Sequence, residues 1–218
     1  MKNVDEEILK QRAKIEEFER ERFSEETVEE EVKQSIFQGT IPINKIPVAF
    51  EEKTLLDGRV AIWMPEDFEP ISQEAIEAIY LLGNKPELVM GNTYLNFSVG
   101  FHYTQNEVPD EYMGDFLKIA RMALERCGPK VKILSEKVRK VGKHTVSHMH
   151  LLSHTITDTV YNVMFFSSLE GRILIGFINF NNRYRKRYVP IAGEMLQSFR
   201  FTGDEAEDGE KNEAGREV

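Results

Sequence analysis

The 218-residue sequence contains a single cysteine, Cys127, and lacks any apolar run near the roughly 18–20 residues that a membrane-spanning helix needs. One cysteine excludes an intramolecular disulfide and a thiolate metal cage. The amino terminus is charged from its first residues and has no apolar stretch, so it does not have the form of a secretory signal peptide. These absences predict a cytoplasmic protein that does not insert into a membrane.

The short motifs of common enzyme chemistries are also missing. The sequence has no glycine-rich phosphate loop, no Gly-x-Ser-x-Gly nucleophile elbow and no His-Glu-x-x-His pair. Cys127 falls on the apolar stripe of a predicted helix, which is the setting of a packing residue rather than of a nucleophile. We therefore expect no catalytic residues in this chain, and a protein that is not an enzyme.

The negative charge of the chain is concentrated at its two ends. Residues 1–36 carry 12 acidic and 7 basic side chains, and residues 203–218 carry 7 and 2; of the totals of 37 and 28, this leaves 18 acidic and 19 basic side chains for residues 37–202. Acidic ends disfavour nucleic acid as a partner, because contacts to phosphates need a basic field.

The composition divides the chain into three parts. Residues 1–39 read as a helical arm with a thin apolar stripe, residues 40–202 as one α+β domain, and residues 203–218 as a disordered acidic tail. The arm either packs on its own domain or holds a second subunit, which would give a homo-oligomer through residues 1–37. So short a stripe does not decide between these alternatives.

Two neighbouring strands dominate the domain. The runs 159–168 and 172–180 are joined by the turn Leu169-Glu170-Gly171, and the second run is apolar on both faces. A strand that is apolar on both faces must be covered on both faces, so we expect this one at the centre of a three-layer domain. Further strands are predicted at 131–141 and 144–155, separated by Gly142-Lys143.

Three helices are predicted, around 71–82, 110–127 and 189–199. Because successive hairpins imply an antiparallel sheet, the sequence predicts an α+β fold in which these helices form an α/β/α sandwich around a central, mainly antiparallel sheet. The second helix has the clearest pattern. Its predicted buried stripe consists of Tyr112, Phe116, Ile119, Ala120, Ala123 and Cys127.

Four of the five histidines fall within eleven residues, at His144, His148, His150 and His154. All have even numbers, so on one regular strand they point to the same face. They form either a solvated or partner-binding surface, a zinc site centred on His148 and His150, or a surface whose charge changes near neutral pH. A zinc site would need a third ligand from elsewhere, for which His102 or a carboxylate on a neighbouring strand is the candidate; otherwise we expect no cofactor.

The only basic cluster covers residues 183–188, with sequence Arg-Tyr-Arg-Lys-Arg-Tyr. We interpret it as a solvated loop before the last helix that could meet an acidic protein surface. The residues that we assign tentatively to a binding surface are therefore His148, His150, Arg183, Tyr184, Arg185, Lys186 and Arg187.

The order of these elements resembles a known family over roughly residues 46–201. The residues that carry the resemblance are Trp63-Met64-Pro65, Asn96-Phe97-Ser98-Val99, Gly142-Lys143-His144, Tyr161–Phe166, Glu170-Gly171-Arg172 and Ser198-Phe199-Arg200-Phe201. They are similar to the PsbP-like superfamily, which includes the Ran-binding Mog proteins, the DcrB lipoproteins and the Eag-type effector chaperones. The arm at 1–37 is not part of that pattern.

The resemblance implies an α/β/α sandwich and a protein that works by binding other proteins rather than by catalysis. Since partners differ across the superfamily, it implies no particular partner. The sequence thus predicts a non-catalytic cytoplasmic bacterial module, adaptor-like or chaperone-like, that binds another protein. The alternative is a metal-binding protein or metal-dependent enzyme centred on His148 and His150.

Overall fold

The structure, a computed structural model, describes residues 34–43, 45–79, 85–92, 94–126, 130–154 and 158–203. The predicted helical arm lies outside these residues up to position 33, and so do Cys127 and all but the first residue of the predicted acidic tail. No helix among the described residues has the length and apolar character needed to cross a bilayer.

The described residues form eleven strands, three α-helices and three short 3-10 turns. The strands are β1 (Thr40–Ile43), β2 (Ile46–Leu55), β3 (Val60–Pro65), β4 (Glu69–Pro70), β5 (Leu88–Gly91), β6 (Phe97–Glu107), β7 (Val131–Val141), β8 (His144–His154), β9 (Thr159–Leu169), β10 (Arg172–Asn181) and β11 (Arg200–Phe201). The helices are α1 (Gln73–Ile79), α2 (Met113–Glu125) and α3 (Arg185–Ser198), and the turns are Ile36–Gln38, Asp110–Tyr112 and Asn182–Tyr184.

The strands build two sheets. Seven strands form the large sheet in the order β4-β5-β6-β10-β9-β8-β7, and four form the small sheet in the order β1-β2-β3-β11. Neighbouring strands in both sheets pair antiparallel. The α+β class and the mainly antiparallel sheet are therefore confirmed. The apolar strand β10 is the middle strand of the large sheet, as its two apolar faces predict.

The two faces of the large sheet are covered differently. Odd-numbered residues of β10 point to the face on which α1 and α2 pack, through clusters around Ile76 and around Met113. Even-numbered residues point to the main core, which they share with the small sheet and α3. Helices alone do not cover this second face, so the predicted α/β/α layering is not established.

The packed body begins before residue 40. The hydroxyl of Ser35 accepts a hydrogen bond from the Phe37 N–H and so caps the first 3-10 turn. Ile36 is fully buried, and its backbone N–H donates to Glu194 Oε2 on α3 at 2.8 Å. The segment just before β1 therefore belongs to the core, although the sequence assigns it to the arm.

Helix α2 has a different buried face from the predicted one. Met113 and Leu117 are buried, and Phe116, Ala120 and Leu124 pack beside them against the large sheet. Three members of the predicted stripe are exposed, so the prediction was wrong for Tyr112, Ile119 and Ala123. The helix is rotated relative to the prediction, and apolar side chains remain on one of its open flanks.

Phenylalanine rings lie directly over glycines on both faces of the central strand. A Cβ atom on Gly176 would stand 2.0 Å from the Phe165 ring, and one on Gly100 would stand 2.1 Å from the Phe177 ring. Gly176 on β10 pairs with Phe165 on β9, and Gly100 on β6 pairs with Phe177 on β10. Each glycine thus leaves the space that a cross-strand aromatic ring fills, an arrangement that pins the strand register.

We expect Gly176→Ala to destabilise the protein by about 1–3 kcal/mol, because the new methyl group must displace the buried Phe165 ring. Gly114→Ala is the matched control, since a Cβ atom there meets nothing within 4 Å. It should leave stability unchanged or raise it slightly. Urea unfolding of the two variants measures the difference, and equal midpoints would contradict the role assigned to Gly176.

Candidate functional site

The four clustered histidines share one face of β8, as their spacing predicts. His148 pairs with Phe165, whose ring lies 5.0 Å from that of Phe199, so this is the face that meets the main core. The histidines lie near its edge, because β7 beyond them is the outermost strand of the described large sheet.

Three of these histidines have partners in the protein itself. The His144 ring packs against the Phe201 ring at a tilt of 33°, with centroids 3.9 Å apart. His150 Nδ1 lies 2.9 Å from the Tyr161 hydroxyl. His154 Nδ1 lies 2.9 Å from Thr159 Oγ1. These contacts connect β8 to its surroundings and give each ring a structural role.

His148 and His150 are half-buried neighbours with ring centroids 5.9 Å apart. Burial is the main reason that the pKa of His148 falls to about 4, and the neighbouring His150, Arg139 and Lys137 lower it further. Burial, together with Lys137, also lowers the pKa of His150. His148 is therefore uncharged at neutral pH, which argues against a surface whose charge changes there through this residue.

The structure does not bring His102 to the other two candidate metal ligands. His102 pairs with Ile175 and so lies on the helix-bearing face of the large sheet, whereas His148 and His150 lie on the opposite face. Its Nδ1 atom is 3.0 Å from Glu87 Oε2. Within the described part of the chain, no group of three His, Cys, Asp or Glu side chains is placed to hold a metal ion.

The basic cluster is not a solvated loop. It forms a 3-10 turn followed by the first turn of α3, which begins four residues earlier than the predicted helix. Arg187 and Tyr184 are only 1% and 8% exposed, and the buried Tyr188 hydroxyl donates to the Leu95 carbonyl. Of the predicted surface in this segment, only Arg183, Arg185 and Lys186 are exposed.

Tyr161 connects the two predicted surfaces. Its hydroxyl bonds to His150, and it lies close enough to Arg185 for that charge to act on its pKa, which burial raises. No sequence pattern could predict this link, because Tyr161 occupies an ordinary core position on β9.

An open trough lies on the other face of the large sheet, between α1 and α2. Met164, Ile175 and Phe177 form its apolar floor, with His102, Asn162, Asn179 and Pro86 around them. The cavity has a volume of about 310 Å³. Met164 and Ile175 remain partly exposed because neither helix covers them fully. Pattern alone could not find this site, since its floor reads as core.

Helix α2 and the turn before it carry exposed apolar side chains on the same face of the sheet as the trough. Arg121 of α2 donates to Glu136 of β7 at 3.0 Å, which fixes the side of the helix that faces the sheet edge. Ile119 is two residues away and hence roughly 160° around the helix axis, so it lies on the flank of α2 away from β7. The exposed apolar side chains are Tyr112 of the preceding 3-10 turn at 55%, and Ile119 and Met122 of α2 at 57% and 51% exposure.

The trough continues toward the ends of β6 and β10. Asn179 also lines a neighbouring recess of about 310 Å³, whose other walls include Ser98 and Asn181. The Oδ1 atom of Asn179 is buried and has no hydrogen-bond partner among the described residues. An unsatisfied buried amide is costly, and an occupant that donates a hydrogen bond would remove that cost.

Comparison with known proteins shows the fold. No protein-family model and no curated protein matches the chain. Its structure is similar to the cyanobacterial PsbP protein CyanoP of Synechocystis sp. PCC 6803, with a TM-score of 0.52, 5% identity, and coverage of 70% of this chain and 92% of that one. The chain therefore has a PsbP-like fold, as the resemblance predicts.

Two further solved structures match less well. LpqN of Mycobacterium tuberculosis, a protein involved in cell envelope biogenesis, has a TM-score of 0.43 at 9% identity, with 70% of this chain and 91% of that one covered. The protein of unknown function PA94 of Pseudomonas aeruginosa has a TM-score of 0.41 at 10% identity, with coverage of 68% and 94%.

The low pKa of His148 predicts how stability depends on pH. The unfolded chain protonates this residue near its ordinary pKa of 6.5, whereas the folded protein does so only near 4. The free energy of unfolding should therefore fall as the pH drops from about 6.5 to about 4. Below about pH 4, His148 should cause no further change in that free energy. Urea unfolding across this window should show a weaker dependence for His148→Gln.

His154→Gln is the control, because it removes an exposed imidazole from the same strand. It should leave the pH dependence of the free energy of unfolding unchanged. An NMR titration of the His148 ring measures its pKa directly. A value near 6.5 would contradict the burial described above.

Proposed function

We propose that the protein is a binding module whose trough between α1 and α2 receives an apolar side chain from an extended segment of another protein. The observation that carries the proposal is the open apolar floor of Met164, Ile175 and Phe177 on the central strands. Apolar grooves that are rimmed by polar side chains, as this one is by His102, Asn162 and Asn179, mark interaction sites in many proteins. The absence of catalytic motifs from the sequence supports binding rather than catalysis.

The size of the trough favours a protein segment over a large cofactor. Its volume of about 310 Å³ is at the lower end of the roughly 300–1,000 Å³ typical of small-molecule sites, which suits one or two side chains. The adjoining recess beyond Asn179 offers a path for the rest of an extended segment. A backbone N–H of that segment would satisfy the Asn179 amide.

The metal-binding alternative gains no support from the described residues. His102, one candidate for the third ligand, lies on the opposite face of the sheet from His148 and His150, and no carboxylate among the described residues completes a group of three with them.

Ile119 is the residue through which the proposal is tested. Burying an isoleucine side chain contributes about 1.5–3 kcal/mol, so replacing it with a charged residue should weaken binding by about tenfold or more. We expect Ile119→Glu to have this effect on the Kd for the partner without lowering the thermal midpoint, because the side chain is 57% exposed.

Lys118→Glu is the matched control, since Lys118 is adjacent in sequence but lies on the flank of α2 that carries Arg121. A photo-crosslinking amino acid at position 119 should capture a defined partner in native cells, and the same group at position 118 should not. The captured partner is then used to measure the Kd of both variants. Equal capture at both positions, or equal loss of affinity in both variants, would contradict the proposal.

A further inference from the structure

A second recess lies on the opposite face of the large sheet from the trough. It has a volume of about 540 Å³ and opens between the β2–β3 turn and the edge formed by β5 and β6. Arg59, Tyr103 and Arg172 line it together with Leu56, Glu87 and Gln105. Since Tyr103 is one residue from His102 on the same strand, the recess and the trough lie on opposite sides of β6.

Two guanidinium groups approach the same aromatic ring in this recess. The Cζ atom of Arg59 lies 4.8 Å from the centroid of the Tyr103 ring, and that of Arg172 lies 4.2 Å from it. The ring is itself held in place, because the Tyr103 hydroxyl donates to the Leu169 carbonyl at 2.9 Å. Stacking on a fixed ring restricts both arginine side chains before any ligand arrives.

The two arginines differ in how their charges are balanced. Arg59 forms ion pairs with Glu170 at 3.3 Å and with Asp57 at 3.6 Å, and its Nε donates to the Leu56 carbonyl. Arg172 donates from Nε to the Thr104 carbonyl at 2.8 Å. Within the described part of the chain, no carboxylate lies within 4.0 Å of Arg172. Its two Nη groups thus keep their capacity to donate.

The carboxylates that line the recess are already engaged. Asp57 belongs to the ion pair with Arg59. Glu87 Oε2 accepts a hydrogen bond from the backbone N–H of Tyr103 at 2.8 Å and lies 3.0 Å from His102 Nδ1. Among the described residues, Arg172 is therefore the arginine of this recess that has no carboxylate within 4.0 Å, Glu107 being its cross-strand neighbour on β6 but not its ion-pair partner.

We infer that the recess binds a carboxylate group through the Nη atoms of Arg172. A guanidinium that is fixed at Nε presents a planar pair of donors whose geometry matches the two oxygens of a carboxylate. The carboxylate comes either from an acidic side chain of a protein segment or from a small free carboxylic acid. This inference does not rest on the proposed trough, so either can fail while the other stands.

The Nε–H group of Arg172 provides the readout. Because it donates to the Thr104 carbonyl, its proton should exchange slowly enough with water to give a resolved signal in a proton–nitrogen correlation spectrum. Loss of that signal in Arg172→Lys assigns it. The full chain is titrated with N-acetylglutamate amide as the model of an acidic side chain, with glutarate as the free acid, and with N-acetylglutamine amide as the uncharged control.

We expect a saturable shift of the Arg172 signal with at least one of the two carboxylates and none with the glutamine control. The carboxylate that binds with the lower Kd identifies the source of the ligand. Arg172→Lys should weaken the affinity by at least tenfold, as followed through the Gln105 backbone signal. Arg121→Gln, which removes an exposed guanidinium elsewhere, should leave it unchanged.

The absence of a saturable shift with both carboxylates in the unmodified protein would overturn the inference, whatever the stability of the variants. An equal shift with the glutamine control, or equal weakening by Arg121→Gln, would overturn it as well.

Discussion

The structure depends on how closely phenylalanine rings approach the glycines of the large sheet. Phe165 covers Gly176 on the core side, and Phe177 covers Gly100 on the helix side. These pairs lock three neighbouring strands into one register, and a shift by one residue would move every side chain to the wrong face. Because β10 is held from both sides, the side chains beside it are placed with little freedom.

The two faces of the large sheet are covered to different extents. On the core side, the small sheet and α3 bury the even-numbered residues of β10. On the helix side, α1 and α2 stand apart, and the gap between them exposes Met164 and Ile175. Glu87 connects the two sides of β6, since it bonds to the Tyr103 N–H and lies within hydrogen-bond distance of His102. The trough and the Arg172 recess therefore share one carboxylate contact.

Much of the fold could be predicted from the sequence. Alternation located β7, β8, β9 and β10 to within a residue or two, because their side chains face contrasting environments. The start of α3 was predicted four residues too late, because the basic run 183–188 was interpreted as a solvated loop. Pro190 gave no sign of the earlier start. In the structure it stands inside the helix, where it lacks the N–H that would bond to the Lys186 carbonyl.

The sites were harder to predict than the fold. An apolar stripe on a helix has the same pattern whether it is buried or left open, so Ile119 and Tyr112 were read as core. Likewise, a run of cations reads as solvated, although Arg187 is buried between Tyr184 and Tyr188. Neither the trough nor the Arg172 recess has a local motif, because each collects residues from strands that are distant in sequence.

The most direct test of the account is whether the floor of the trough is open to solvent in the 218-residue chain. A soluble paramagnetic probe enhances the relaxation of methyl groups that solvent can reach. We predict strong enhancement for the Met164 and Ile175 methyl groups and little for the buried Met113 and Met149 on the same face. Equal protection of all four would show that the trough is closed in solution and would contradict its role as a binding site.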